Sequence, residues 1–273
     1  MLPLRERFPA PAVMGVVNVT PDSFSDGGTF LDPAAAIAHG LKLAAEGADV
    51  LDVGGESTRP GSDPVPLEVE LERVLPVIDG LARQTDVPIS IDTVKAEVAE
   101  QAIRAGAALV NDVTALRHDP AMAEVVAAAG VPVCLMHMLG EPKTMQDDPH
   151  YDDVVAEVSA FLTERVAFAR SSGIDPDQIC VDPGIGFGKT VEHNLELIRR
   201  LDEIAAIGRP VVFGASRKSF LGKLTGRQVD ERLAGTIAVN IIAYERGARV
   251  FRVHDVAANA DALEVAAATV GRP

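Results

Sequence analysis

Five short apolar runs in the chain each begin just after a glycine, at Gly47, Gly106, Gly130, Gly208 and Gly247. A glycine suits the left-handed residue that ends a helix, and a short apolar run reads as a strand buried on both faces. In three of the five, the fifth residue past the glycine is polar: Asp52, Asn111 and Arg252; in the other two it is Leu135 and Phe213. The predicted unit is a helix C-cap, a buried strand, then a functional group where that strand ends. A fold that repeats this unit gathers polar groups at one rim.

Eight strands are predicted along the chain: Val13 to Val19, Val50 to Gly54, Pro88 to Asp92, Leu109 to Val113, Val133 to His137, Ile179 to Asp182, Pro210 to Ala215, and Val250 to His254. Eight helical segments lie between and after them. Some open at Asp-Pro pairs, Asp32-Pro33 and Asp119-Pro120, where Asp caps and Pro fills the first turn. Others close at Gly47, Gly106, Gly130, Gly173, Gly208 or Gly247. Strict alternation without hairpin signals favours an α/β fold, a single (β/α)8 TIM barrel, over an open doubly wound sheet. The whole chain, 1–273, is expected to be one domain. The loops after strands one and two, Thr20 to Leu31 and Gly55 to Pro66, are long and rich in Gly, Pro, Ser, Thr and Asp, as mobile functional loops are.

Charge narrows the partners. The net charge of −15, from 25 basic and 40 acidic residues, disfavours a broad footprint for nucleic acid or an anionic membrane. The two cysteines, Cys134 and Cys180, fall inside predicted buried strands, which argues for a reduced setting and against a disulfide scaffold. No apolar run has the length of a membrane span, and the charged start at Arg5, Glu6 and Arg7 is unlike a signal peptide. A cytoplasmic protein is expected.

Polar residues accumulate at the strand ends: Asn18, Asp52, Asp92, Asn111, His137, Asp182, Ser216 with Arg217 and Lys218, and Arg252 with His254. Any one of them could simply cap the next helix or close a turn. All eight strands ending so is harder to assign to capping, and the C-terminal rim of a parallel barrel holds its active site. Residues two apart on a strand share a face, so Arg252 and His254 point together and suit an anion clamp. The competing role is a salt bridge to Asp255 or another rim acid. Gly214 to Ser219 adds two cations and two hydroxyls after strand seven, where barrels commonly bind phosphate. Asp92 and Asp182, buried near the rim, need partners, and a heterocycle with several N–H groups suits carboxylates that only accept. Asn111 can donate and accept. No tight His/Cys/Asp spacing marks a structural zinc site, whereas Mg²⁺ held on substrate phosphates stays open. The run from Asp182 to Thr190 ends like a Walker A loop but has Pro183 where its first glycine would stand. Asn18-Val19-Thr20 matches a glycosylation sequon at the end of a buried strand, a chance match.

With these residues in place, the chain resembles the dihydropteroate synthases, folate-pathway enzymes that join 4-aminobenzoate to a pterin. The resemblance rests on the runs from Asn18 to Gly28 and Asp52 to Gly61, with Ile91-Asp92-Thr93, Asn111-Asp112, Met136-His137-Met138, Asp182 to Lys189, Ser216-Arg217-Lys218 and Arg252-Val253-His254, in the family's order. It implies that Asp92, Asn111, Asp182 and Lys218 hold the pterin ring, with Met136, Phe187 and Gly214 around it. It implies that Asn18 ligates Mg²⁺ on the pyrophosphate, that Arg252 and His254 hold the phosphates with Thr58, and that Thr58, Arg59, Pro60 and Ser216 with Lys218 form the 4-aminobenzoate site. Asp92, Lys218, Arg252 and His254 would carry the catalysis. The implied reaction condenses 6-hydroxymethyl-7,8-dihydropterin diphosphate with 4-aminobenzoate to give 7,8-dihydropteroate and pyrophosphate, in a homodimer. Two other readings share the barrel and the pterin pocket: a methyltransferase domain passing a methyl group to a corrinoid protein, and an inactive pterin-binding regulatory barrel. Arg252 with His254, and Ser57-Thr58-Arg59-Pro60, stand against the first; intact Asn18, Asp92, Lys218 and His254 stand against the second.

Overall fold

The computed structural model describes residues 11–20, 32–58 and 61–270. Eight parallel strands close a barrel in sequence order. They are β1 (Ala12–Asn18), β2 (Val50–Gly54), β3 (Ile89–Asp92), β4 (Ala107–Asp112), β5 (Val133–Met136), β6 (Ile179–Asp182), β7 (Val211–Phe213) and β8 (Ala248–Val253). Closure comes from pairing of β1 with β8, Ala12 to Val250 through Gly15 to Val253.

Alternation along the strands sorts the core into two parts. One set, Ala12, Met14, Val50, Leu109, Cys134, Cys180, Val212 and Val250, packs inside the barrel. The intervening residues, such as Val13, Leu51, Ile91, Val110, Leu135, Val181, Phe213 and Phe251, join the larger cluster beneath the surrounding helices. The glycine spacing seen in sequence now has a structural meaning. Asp52, Asn111 and Arg252 share the inward parity, while Leu135 and Phe213 face the helices.

The helices among the described residues are α1 (Pro33–Ala45), α2 (Leu67–Ala82), α3 (Ala96–Ala105), α4 (Met122–Ala129), α5 (Val154–Ser171), α6 (Val191–Arg199), α7 (Leu201–Ala205), α8 (Ser219–Thr225), α9 (Leu233–Glu245) and α10 (Val256–Val270). Ten α-helices stand where eight were expected, for two local reasons. Arg200 (φ −115°, ψ 30°) interrupts α6 and α7, its guanidinium engaged by Asp153 and Glu203. The short α8 is inserted between β7 and α9, and an apolar period cannot separate it from the helix that follows. The six glycines expected to close helices all have positive φ. Asp32 caps α1, accepting from the Ala34 N–H at 2.9 Å. Asp119 differs: it accepts from the Ala121 N–H ahead of α4 and, through its other oxygen, from the Ala96 N–H that opens α3.

The glycine-rich run after β6 places a wall beside the barrel mouth. Gly184, Gly186 and Gly188 have φ of 68°, 82° and 63°. A Cβ on Gly184 would be driven into the carbonyl oxygen of His137. Gly184→Ala is therefore expected to cost about 3 kcal/mol or more, from left-handed strain added to a backbone clash. Urea unfolding checks this; an unchanged midpoint would contradict it.

Candidate active site

One layer above the apolar barrel filling, the inward positions turn polar. Ser90 and Asp92 follow on β3, Asn111 on β4, Asp182 on β6 and Arg252 on β8, with Asp52 on β2. Asp92, Asn111, Asp182 and Arg252 reach a pocket at the C-terminal mouth, while Asp52 and Ser90 do not line it. Thr58, Asp92, Asn111, Met136, Asp182, Phe187, Gly214, Ser216, Lys218, Arg252 and His254 all line it. These residues come from separate segments of the chain and were all expected at the site. Val113, apolar and two beyond Asn111, lines it as well. The same strand parity marks Val113, but a search for polar residues passes over it.

Other expectations separate from the pocket. Asn18 ends β1 on the inward parity but does not line the cavity. Arg59 and Pro60 of the second loop, and 21–31 of the first, lie outside the described residues. Arg217 is not a second phosphate cation: its guanidinium pairs with Asp255 at 2.6 and 2.9 Å, turned there by a left-handed backbone with φ of 59°. His137 has the outward parity. Its Nδ1 lies 2.9 Å from Lys189 Nζ, and its ring packs edge-on to Phe161 at 4.9 Å.

Arg252 organises the polar layer. Its Nε–H donates to Asp52 Oδ2 at 2.6 Å and its Nη2–H to Asp92 Oδ2 at 2.8 Å. The rim acids that compete for Arg252 are thus Asp52 and Asp92, since Asp255 is taken by Arg217. No hydrogen bond engages Nη1 among the described residues, so it remains available to an anion. His254 stands beside it, with Nδ1 3.0 Å from Ser216 Oγ, to which its backbone N–H also donates at 3.2 Å.

The pocket lining is also rich in acceptors. Asp182 Oδ1 accepts the Gly184 N–H at 2.7 Å, leaving its second oxygen for the pocket that Asp182 lines with Gly214. Asn111 donates from Nδ2 to Asp52 Oδ2 at 3.3 Å, which leaves its carbonyl oxygen for a ligand. Asp92 likewise keeps one oxygen after Arg252. Burial pushes Asp92 up to about 7 against the pull of Arg252, with Asp52, Glu70 and Asp112 adding to the rise. Burial raises Asp182 too, opposed by Lys218. Lys218 is pushed down to about 7, by burial first, while Asp182 draws it back up. Its ammonium donates to the Ile185 carbonyl and sits 4.3 Å from the centre of the Phe187 ring.

The base of the second loop is tied down by charge. Lys95 donates to both Glu56, three residues after Val53, and buried Glu70, which also accepts from Thr93 Oγ1 at 2.7 Å. Arg73 Nη1 donates to the Gly55 carbonyl at 2.7 Å. These contacts hold the segment that delivers Thr58 to the cavity.

A family model described as pterin binding enzyme matches residues 14–254. A dihydropteroate synthase of Escherichia coli strain K12 is 46% identical over 260 residues, 95% of this chain and 92% of that one. The solved structure of Xanthomonas albilineans dihydropteroate synthase with 4-aminobenzoic acid is 53% identical, with a TM-score of 0.91, covering 97% of this chain and 95% of that one. The same enzyme in complex with 7,8-dihydropteroate is 50% identical at a TM-score of 0.87, with the same coverage. The cavity, its acceptor wall and its cationic flank therefore sit on a chain that belongs to the pterin binding enzyme family, among the dihydropteroate synthases.

Proposed function

We propose that the cavity binds 6-hydroxymethyl-7,8-dihydropterin diphosphate and joins its exocyclic methylene to the amine of 4-aminobenzoate, releasing pyrophosphate. The observation that carries this assignment is the division of the mouth into two chemistries. Open oxygens of Asp92, Asn111 and Asp182 face a ring edge that must supply N–H donors, and Met136, Val113 and Phe187 provide apolar cover. Arg252 and His254 lie where an attached diphosphate would reach. Thr58 and Ser216 line the same cavity, and they are proposed, with Arg59 and Pro60, to hold the amine substrate.

In this reaction the methylene carbon–oxygen bond to the diphosphate breaks and a carbon–nitrogen bond to the amine forms, with loss of one proton from that nitrogen. Cationic donors fixed at the phosphates favour departure of the leaving group, because its charge grows as the bond breaks. Carboxylates beside the ring favour the positive charge left on the pterin side. The amine is nucleophilic without activation, so the chain's tasks are orientation and exclusion of water.

Mg²⁺ is proposed as the metal, with Asn18 as its protein ligand. Among the described residues no cluster of three His, Cys, Asp or Glu side chains is placed to hold a metal. A single carboxamide oxygen fits an ion held mainly by phosphates and water, and the Asn18 side chain has no hydrogen bond among the described residues. Bound there, Mg²⁺ would screen the phosphate charge.

The proposal extends to the chain's setting. A single domain and a homodimer are proposed, on the resemblance to the dihydropteroate synthases. Among the described residues no helix is long and apolar enough to cross a membrane. A cytoplasmic location is supported by free, buried Cys134 and Cys180, which pair in register across β5 and β6.

Pyrophosphate release from the dihydropterin diphosphate should require 4-aminobenzoate and match dihydropteroate mole for mole; release of pyrophosphate without the amine, or none with it, would contradict the assignment. Arg252→Ala should lower kcat/KM by about 100-fold or more. A third expectation concerns stability. Because the Asp92 pKa is raised on folding, the folded chain keeps a proton that the unfolded chain releases above about pH 4, so this group's contribution is lost as pH rises through about 7. Urea unfolding of wild type and Asp92→Asn should show the difference moving in favour of the variant between pH 5 and pH 8, and a constant difference would contradict it.

A further inference from the structure

We propose that Asp52, which does not line the cavity, is a positioning residue that sets the polarity Asn111 presents to the ligand, and with it the pocket's demand for ring N–H donors. The inference rests on the functional reading above. Asp52 is fully buried one layer beneath the mouth, and a single oxygen, Oδ2, accepts from both Arg252 Nε and Asn111 Nδ2.

A carboxamide is two-sided, donor at one end and acceptor at the other, and shape alone does not distinguish its two orientations. A carboxylate paired with an arginine only accepts. It therefore selects the amide end of Asn111 and leaves the carbonyl oxygen for the cavity. Without Asp52, a half-turn of the Asn111 amide would put a donor among the acceptors of Asp92 and Asp182. The wall would then lose its uniform character, and a ligand edge of N–H groups would meet one opposing N–H.

Packing does not account for Asp52. Among the described residues its Oδ1 has no hydrogen-bond partner, nor does Ser90 Oγ, the residue paired with it in register on β3. A buried carboxylate oxygen left unpartnered detracts from stability. Among the described residues the side chain's two hydrogen bonds both go to residues of the site, one proposed to hold the anion and one the ring. Arg252 thereby acts at a distance on the ring pocket: it pins Asp52, and Asp52 orients Asn111.

A double-mutant cycle tests this with 6-hydroxymethylpterin, a ring probe lacking the diphosphate, in equilibrium binding. Asp52→Ala, or Asp52→Val should the first variant not fold, is expected to weaken the probe about tenfold or more in the Asn111 background. In the Asn111→Ala background the same change should cost less than about twofold. Asp52→Asn should bind within about threefold of wild type, because Arg252 Nε selects its oxygen end and so preserves the acceptor facing Asn111. Equal losses in the two backgrounds, or no loss in either, would overturn the positioning role. A wild-type chain that fails to bind the probe would instead overturn the functional reading, and the inference with it.

Discussion

The site depends on one arginine held between carboxylates from two other strands. Arg252 on β8 reaches Asp52 on β2 and Asp92 on β3, and these charges can be buried together only because each offsets another. Asp52 and Asp92 raise the Arg252 pKa above its ordinary value although burial, the largest single influence, acts to lower it. The charge therefore stays in place whatever enters the cavity. With two of its three nitrogens occupied, the planar group is fixed in orientation, and what it offers a ligand is a directed N–H on a permanent cation.

The ring half of the site is built by the opposite device. Its acceptors are held open: Asp182 spends one oxygen on Gly184, Asn111 turns its amide toward Asp52, and Asp92 gives one oxygen to Arg252. Such a wall is electrostatically unfavourable until donors arrive, which is why burial raises the pKa of both aspartates. Ligand recognition and the cost of an empty site have the same origin. The glycines after β6 contribute by letting a backbone wall close in where side chains would collide.

Much of this was legible in the sequence because strand parity transmits directly into the barrel. Once Asp52, Asn111 and Arg252 are placed on strand ends, their common inward direction follows from period-two alternation. So does the outward direction of Leu135 and Phe213. What local pattern could not supply is partner choice between distant strands. Arg217 and Arg252 are equivalent in sequence as cations near the rim, yet one pairs with Asp255 and the other with Asp52 and Asp92. His137 ends a strand like its neighbours, but it pairs with Lys189. Parity gives the outward direction of His137, as it does for Leu135, but its partner depends on tertiary proximity, and the pairing of Arg217 depends also on its left-handed backbone. The break at Arg200 likewise follows from acids brought in by α5 and α7.

Diffraction from crystals grown with the dihydropterin diphosphate would test the central claim most directly. Ring N–H groups should lie within hydrogen-bond distance of Asp92, Asn111 and Asp182, about 3 Å, with the phosphates at Arg252 Nη1 and His254. A ring bound away from those three oxygens, or a diphosphate that leaves Arg252 untouched, would contradict it.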